Sequence, residues 1–345
     1  MRSKIFIFFL AMLLGLGQLA AAQPVAHAPD SIKTPDAGWD WALKKAGTTT
    51  GFYVGYAVEQ KRNGSICMGK HNGDKTLYRV LYPEKNSKDQ TVGVEKRLGI
   101  LFRYDSRPKN RYAFRDIVVN SLNRTAPLEE LPVFWLGTID DNASIAFLET
   151  CFNRAGSDKD KDKLITAVGI HAPGPKSFGF LKMILTGNYA EKIRKSAAFW
   201  MGQQQSAEAA KVLLNAVYND KSSKVRENAV FGLYLVEREE ADDALVRLAR
   251  KGKDKNIRKK AIFWLGQRAV KRTAELLGDI IEEDTDFDVQ KAAVFALSQH
   301  PGGVDKLIKI AETHRSLSVR KQAIFWLGQS DDPRALDTIL GIIKK

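Results

Sequence analysis

A string of twelve residues, Ile257–Arg268 (IRKKAIFWLGQR), returns at Val319–Ser330 as VRKQAIFWLGQS and at Ile193–Gln203 as IRKSAAFWMGQ. Weaker copies lie between, VRENAVFGL at Val225–Leu233 and VQKAAVFAL at Val289–Leu297. Phe199, Phe231, Phe263, Phe295 and Phe325 mark the register, in steps of 32, 32, 32 and 30 residues. A fixed period of that size is the mark of stacked supersecondary units, and it excludes most single-core folds. Two degenerate copies, LPVFWLG around Phe134 and LITAVGIH around Val168, bring the expected number to about seven.

Each unit reads as a helical hairpin. Ile257, Ala261, Trp264 and Leu265 fall on one helical stripe, and Gly266 is expected to stop the helix in a left-handed cap. A second apolar helix follows, as at Ala207–Val217, Ala244–Ala249, Ala274–Ile281 and Ala335–Ile343. A lone hairpin cannot bury its apolar face, so neighbours must stack. After the marker come Trp135, Gly169, Trp200, Gly232, Trp264, Ala296 and Trp326, large and small in strict alternation. Close packing then predicts that each tryptophan leans over the small residue of an adjacent unit, with Gly232 held between Trp200 and Trp264. The last helix, ALDTILGII, ends two lysines before Lys345 without a polar capping unit, so its outer face is read as a surface for self-association or a partner.

The V-R-x-x-A-(I/V)-x-x-L core with its short second helix resembles HEAT repeats, and the compact period is similar to the bacterial subtype of the phycobilisome lyases. The resemblance covers Pro127 to the C-terminus. It implies an α-solenoid that works as a scaffold, an adaptor or, less commonly, a chromophore lyase. The β-rich N-terminal third resembles no family beyond a general likeness to exported bacterial HEAT-repeat proteins.

Residues 1–22 read as a signal peptide: a basic MRSK, an apolar Ile5–Leu16 and an Ala20-Ala21-Ala22 cleavage site before Gln23. Cleavage would leave a periplasmic or secreted chain without a stable membrane anchor. The formal net charge is +14. Residues 23–125 hold 18 Lys/Arg against 10 Asp/Glu, so the excess is concentrated ahead of the repeats.

Residues 23–50 read as an exposed segment. Residues 51–125 read as a small β-rich domain, with strand candidates GFYVGYAVEQ, SICMG, TLYRVLY, RLGILFRYD and RDIVVN. Residues 126–345 then form the solenoid, making the fold mainly α. Cys67 and Cys151 lie on either side of that junction and are candidates for one disulfide. The competing reading is two buried thiols.

No catalytic or metal motif stands out: GxSxG, HExxH, a P-loop and CxxC are all missing. DKDKDK at 158–163 reads as a solvated turn, and His171, His300 and His314 as surface histidines. Arg194, Arg226, Arg258 and Arg320 recur at one point of the repeat and are read as serving the inter-repeat turn, as the HEAT resemblance implies. Gln203, Gln267, Gln299 and Gln329 follow the first-helix end and would stand in a row, either bonding the neighbouring turn or offering a polar strip to a partner. Arg103, Arg107 and Arg111, interleaved with Tyr104 and Tyr112, form a basic cluster read first as a solvated hairpin of alternating charge, with a polyanion surface as the alternative. The expected function is therefore a non-enzymatic periplasmic scaffold or adaptor for a protein partner, with no cofactor and no nucleic acid. The alternatives are a HEAT-like lyase or cofactor-handling protein, and a binder of an anionic envelope polymer through the basic N-terminal domain.

Overall fold

The computed structural model describes residues 24–59, 76–82, 96–108, 111–125, 128–268 and 271–344. The expected signal peptide, Cys67 and the SICMG strand candidate lie outside these residues.

The sheet has five strands in the order β1 (Val25–His27), β5 (Val133–Thr138), β2 (Gly51–Glu59), β3 (Arg97–Arg107), β4 (Arg111–Ser121). β5 runs parallel to both β1 and β2, while β2–β3 and β3–β4 are antiparallel. Residues 24–50 are thus not a loose entry segment. They supply β1 and α1 (Pro35–Ala46), which is capped by Thr34 and buries Pro35, Gly38, Ala42 and Ala46. Nor is LPVFWLG a degenerate helix. Its run of β-branched and aromatic residues forms β5, inside the sheet, so the solenoid begins at Asp141 rather than at residue 126. TLYRVLY departs in the opposite sense: Leu77 and Leu81, one turn apart and both buried, make it the short helix α2 (Leu77–Leu81) under a Thr76 cap.

Nearly every residue of β2 is buried, because both faces of the sheet are covered. Tyr53, Leu101 and Trp135 look toward α2, in a small core of their own. Phe52, Val54, Tyr56, Ile100 and Phe102 look the other way, into a core that continues unbroken through the helices to Ala335. The sheet therefore closes the first end of the solenoid.

Helices α3 (Asp141–Arg154) and α4 (Asp158–Gly169) adjoin the sheet. Six hairpins follow the repeat: α4 with α5 (Pro175–Thr186), α6 (Glu191–Gly202) with α7 (Ala207–Asn219), and α8 (Ser223–Leu235) with α9 (Glu239–Lys251). The last three are α10 (Lys255–Gly266) with α11 (Lys271–Glu283), α12 (Phe287–Ser298) with α13 (Val304–Thr313), and α14 (Leu317–Leu327) with α15 (Pro333–Ile343). α3 occupies the place of a second helix whose first helix is missing; the sheet stands there instead. DKDKDK is not a turn but the first half of α4, where Ser157 caps and Asp158 and Asp160 meet the positive end of the helix dipole. Lys163 of this run pairs with Asp116 of β4 and ties helix to sheet.

The glycine of the repeat does not serve as a left-handed cap. Gly202 and Gly266 lie within helix ends, and the residues after them, Gln203 and Gln267, remain right-handed. They are glycine because the next repeat comes close: a Cβ on Gly202 would lie 2.6 Å from the Gly232 carbonyl oxygen, and one on Gly266 2.8 Å from Ala296 Cβ. Gly232 and Ala296 are the small members of the alternation, so smallness there admits the preceding helix end. Gly232 is accordingly not held between Trp200 and Trp264; its neighbours include Leu213 and the carbonyl of Ala198. The expected arrangement holds at one place, where Trp200 covers Gly169 and a Cβ would fall 2.1 Å from the indole. Trp264 and Trp326 instead lean back on Phe231 and Phe295 of the preceding units, with ring centroids 4.6 and 5.0 Å apart. Trp135 belongs to the far side of the sheet, where its indole N–H donates to Tyr82.

Gly169→Ala should therefore cost about 1–3 kcal/mol by overpacking against the indole. In a Trp200→Ala background the same change should be neutral or stabilising, because the obstructing ring is gone and alanine favours the helix. Urea unfolding of the four proteins measures the coupling, and additive effects would contradict the contact.

Candidate partner-binding face

Two neighbouring positions of the first-helix register have opposite fates. The arginine is used up inside the array. Arg194, 4% exposed, donates through Nε and Nη2 to the Asp220 carboxylate, 7% exposed, at the mouth of the next unit. Burial, the largest single influence, would raise the Asp220 pKa, but the Arg194 hydrogen bonds, the Ser222 N–H and the charges of Arg194 and Lys221 together hold the carboxyl below its ordinary value. Arg226 repeats the link to Asp254 and Arg258 to Asp284, at 3.3 and 3.5 Å. These arginines serve the inter-repeat turn, as expected.

The next residue is lysine in four of these five copies: Lys195, Lys259, Lys291 and Lys321. Among the described residues none of these four forms an ion pair. Each lies one helical turn before the marker phenylalanine, so lysine and ring share one face of each helix. The rings form a row across the repeats. Phe199 and Phe231 are 6.1 Å apart, Phe231 meets Trp264, and Trp264 lies 4.9 Å from Phe263. Phe263 stacks on Phe295 at 6.4 Å and 10°, and Phe295 leads through Trp326 to Phe325. Phe199, Phe231, Phe263 and Phe295 are half-buried and Phe325 is exposed. The result is a continuous aromatic ribbon with a lysine edge. Sequence reading used these phenylalanines only as markers; the K-x-x-x-F spacing was the signal that could have found it.

The other candidates fall elsewhere. Gln267, Gln299 and Gln329 are exposed and Gln203 half-buried, all at the ends of first helices. The amide that ties one turn to the next is Gln205: its Nε2 donates to the Leu235 carbonyl and its Oε1 accepts from the Glu237 N–H. Arg268 performs the same task one repeat on, donating to the carbonyls of Tyr234 and Val236. The basic patch is partly neutralised, since Arg103 pairs with Asp105 and Glu129. Arg107 and Arg111 are exposed and face each other across the β3–β4 ladder. Cys151 of α3 is a free thiol, while its expected disulfide partner Cys67 lies outside the described residues.

All three histidines are buried rather than on the surface. His171 joins the solenoid to the sheet: its Nδ1–H donates to the Ala167 carbonyl, and Nε2 meets the Ser144 hydroxyl, which in turn bonds Tyr56 of β2. Both ring nitrogens are thereby committed with the ring neutral. His314 Nδ1 accepts from the Ser316 N–H and Nε2 donates to the Ile281 carbonyl, while His300 Nδ1 accepts from the Gly302 N–H. Among the described residues no three His, Cys, Asp or Glu side chains gather as a metal site, and no helix is long and apolar enough to cross a membrane.

A profile of the family described as HEAT repeats matches residues 180–262. The helical array is built of HEAT repeats. No curated protein matches the chain. Among solved structures, the HEAT array and its surroundings are similar to the CpcE–CpcF complex of phycocyanin lyase from Nostoc. That match has 19% identity over 55% of this chain and 76% of that one, with a TM-score of 0.33. Human deoxyhypusine hydroxylase matches at 16% identity over 58% and 85%, with a TM-score of 0.25. Lipovitellin matches at 12% identity over 70% and 33%, with a TM-score of 0.40. At these scores none of the three bears on what this chain does.

Burial lowers the His171 pKa from its ordinary value, against the opposing pull of Asp141 and the nearby carbonyls. The unfolded chain takes up a proton near pH of about 6.5 that the folded chain resists, so this part of the stability is complete above that pH and falls as the solution is acidified. His171→Gln should flatten the fall in stability between neutral and mildly acidic pH, read from urea midpoints across that range. An unchanged slope would remove His171 as its source.

Proposed function

We propose that the protein is a non-enzymatic scaffold of the bacterial periplasm, exported by cleavage after Ala22, that holds a protein partner along the aromatic ribbon of its HEAT array. The observation that carries this reading is the register of Lys195, Lys259, Lys291 and Lys321. Four lysines that close no ion pair, with only the fields of Glu191 on Lys195 and of Asp288 on Lys259 and Lys291, share their helix faces with a continuous row of rings, an arrangement poorly explained by stability. Arginines one position earlier show how the same helices use cations when they are needed internally. Rings of this kind supply contact area at low entropy cost, and unpaired charges at the border supply orientation and speed of encounter.

Crosslinking and pull-down from periplasmic extract test the reading. Reversing the four lysines to glutamate should abolish capture of the partner, while alanine at Gln203, Gln267, Gln299 and Gln329 should leave it intact. The opposite pattern would move the binding face to the glutamine edge. N-terminal sequencing of the exported chain should begin at Gln23.

The last repeat favours a second contact. Leu336, Leu340 and Ile343 of α15 are exposed at helical spacing, an apolar stripe that would bind a copy of itself or a further protein. Sedimentation at rising concentration should show self-association that Leu340→Glu removes; a monomer throughout would end this second reading.

A further inference from the structure

Where the sheet meets the solenoid, a cavity of about 350 Å³ opens between α1, β3, β4, α3 and the start of α4. That volume lies within the range of small-molecule sites. Its walls are aromatic: Trp39 packs on Tyr104 with ring centroids 3.9 Å apart, and Phe114 and Phe147 complete the enclosure. Tyr104 is only 8% exposed, and its hydroxyl makes no hydrogen bond to the described protein. At the mouth stand two opposite charges. Arg154, at the end of α3, and Asp36, in the first turn of α1, line the cavity, are exposed and form no ion pair with each other or with any described group. The third charged residue there, Asp160, is already engaged by the Ser157 hydroxyl at the α4 cap.

We propose that this cavity binds a small zwitterion with an apolar body, an α-amino acid with an aromatic or large aliphatic side chain. The apolar body fills the aromatic enclosure, the carboxylate meets the Arg154 guanidinium, the ammonium meets the Asp36 carboxylate, and the Tyr104 hydroxyl gains the partner it lacks. A ligand with one charge would satisfy one side of the mouth and leave the other unmatched. The site is separate from the aromatic ribbon, so either can fail without the other.

Calorimetry on the mature chain tests the proposal with three probes of one body: L-phenylalanine, 3-phenylpropionate without the amine, and 2-phenylethylamine without the carboxylate. L-Phenylalanine should bind saturably, and each truncated probe about tenfold more weakly, the loss of one charged hydrogen bond. Arg154→Gln should weaken L-phenylalanine and 3-phenylpropionate but not 2-phenylethylamine, and Asp36→Asn should weaken L-phenylalanine and the amine but not the acid. Both side chains are exposed, so neither change should disturb folding, and an unchanged urea midpoint checks this. No saturable heat with any probe, equal affinity for all three, or either variant weakening all three alike would overturn the proposal.

Discussion

A helix with an apolar stripe on each side must be covered on each side, and the whole molecule follows from that requirement. Between α4 and α14 each first helix has neighbours of its own kind, and the core passes through them without a break. At the first end no further hairpin is available. The sheet takes that place, turning Phe52, Val54, Tyr56 and Phe102 toward α3 and α4 just as another repeat would have turned its own stripe. Lys163 on Asp116 and the buried Tyr56–Ser144–His171 chain fix the sheet there with polar contacts that a slipped arrangement would leave unmatched.

The same economy separates the cations of the array. Arg194, Arg226 and Arg258 reach forward to a carboxylate of the next unit, and in Arg194 and Arg226 the planar guanidinium satisfies a carboxylate and a carbonyl oxygen together. The lysine one residue later is rotated by about 100° around the helix, away from that turn and toward the outer ring row. One residue of offset divides a structural cation from an available one.

Much of this was legible in the sequence where period and composition agree. Six of the seven expected hairpins and their helix positions follow from the 32-residue register, and the role of the arginines was what the HEAT resemblance implied. What failed had local causes. LPVFWLG shares the F-W-L-G string of the repeats, but the strand pairing of Val133–Trp135 with β1 and β2 outweighs that likeness. Gly266 looks like a helix stop in one dimension, whereas its reason is a helix of the next unit less than 3 Å from where a Cβ would stand. The histidines lie at loop positions, which suggested exposure, yet these loops are the inner corners of stacked hairpins. The ribbon was visible as K-x-x-x-F, but its continuity depends on ring contacts between units, which no single repeat contains. The cavity is assembled from five elements and left no sequence signal.

The order of the strands has a consequence for how the chain reaches this state. β5 stands between β1 and β2, yet it is the last strand in sequence, following β1 by more than a hundred residues. β3 and β4 can zip as a hairpin, but β1 has no partner until β5 arrives. Each hairpin of the array, in contrast, closes over a few tens of residues and gains its neighbour soon after. Local closure is fast and long-range closure slow. The end nearest the N-terminus is thus sealed by a long-range step: β5 must reach the free edge of β2 before β1 can join the sheet at all.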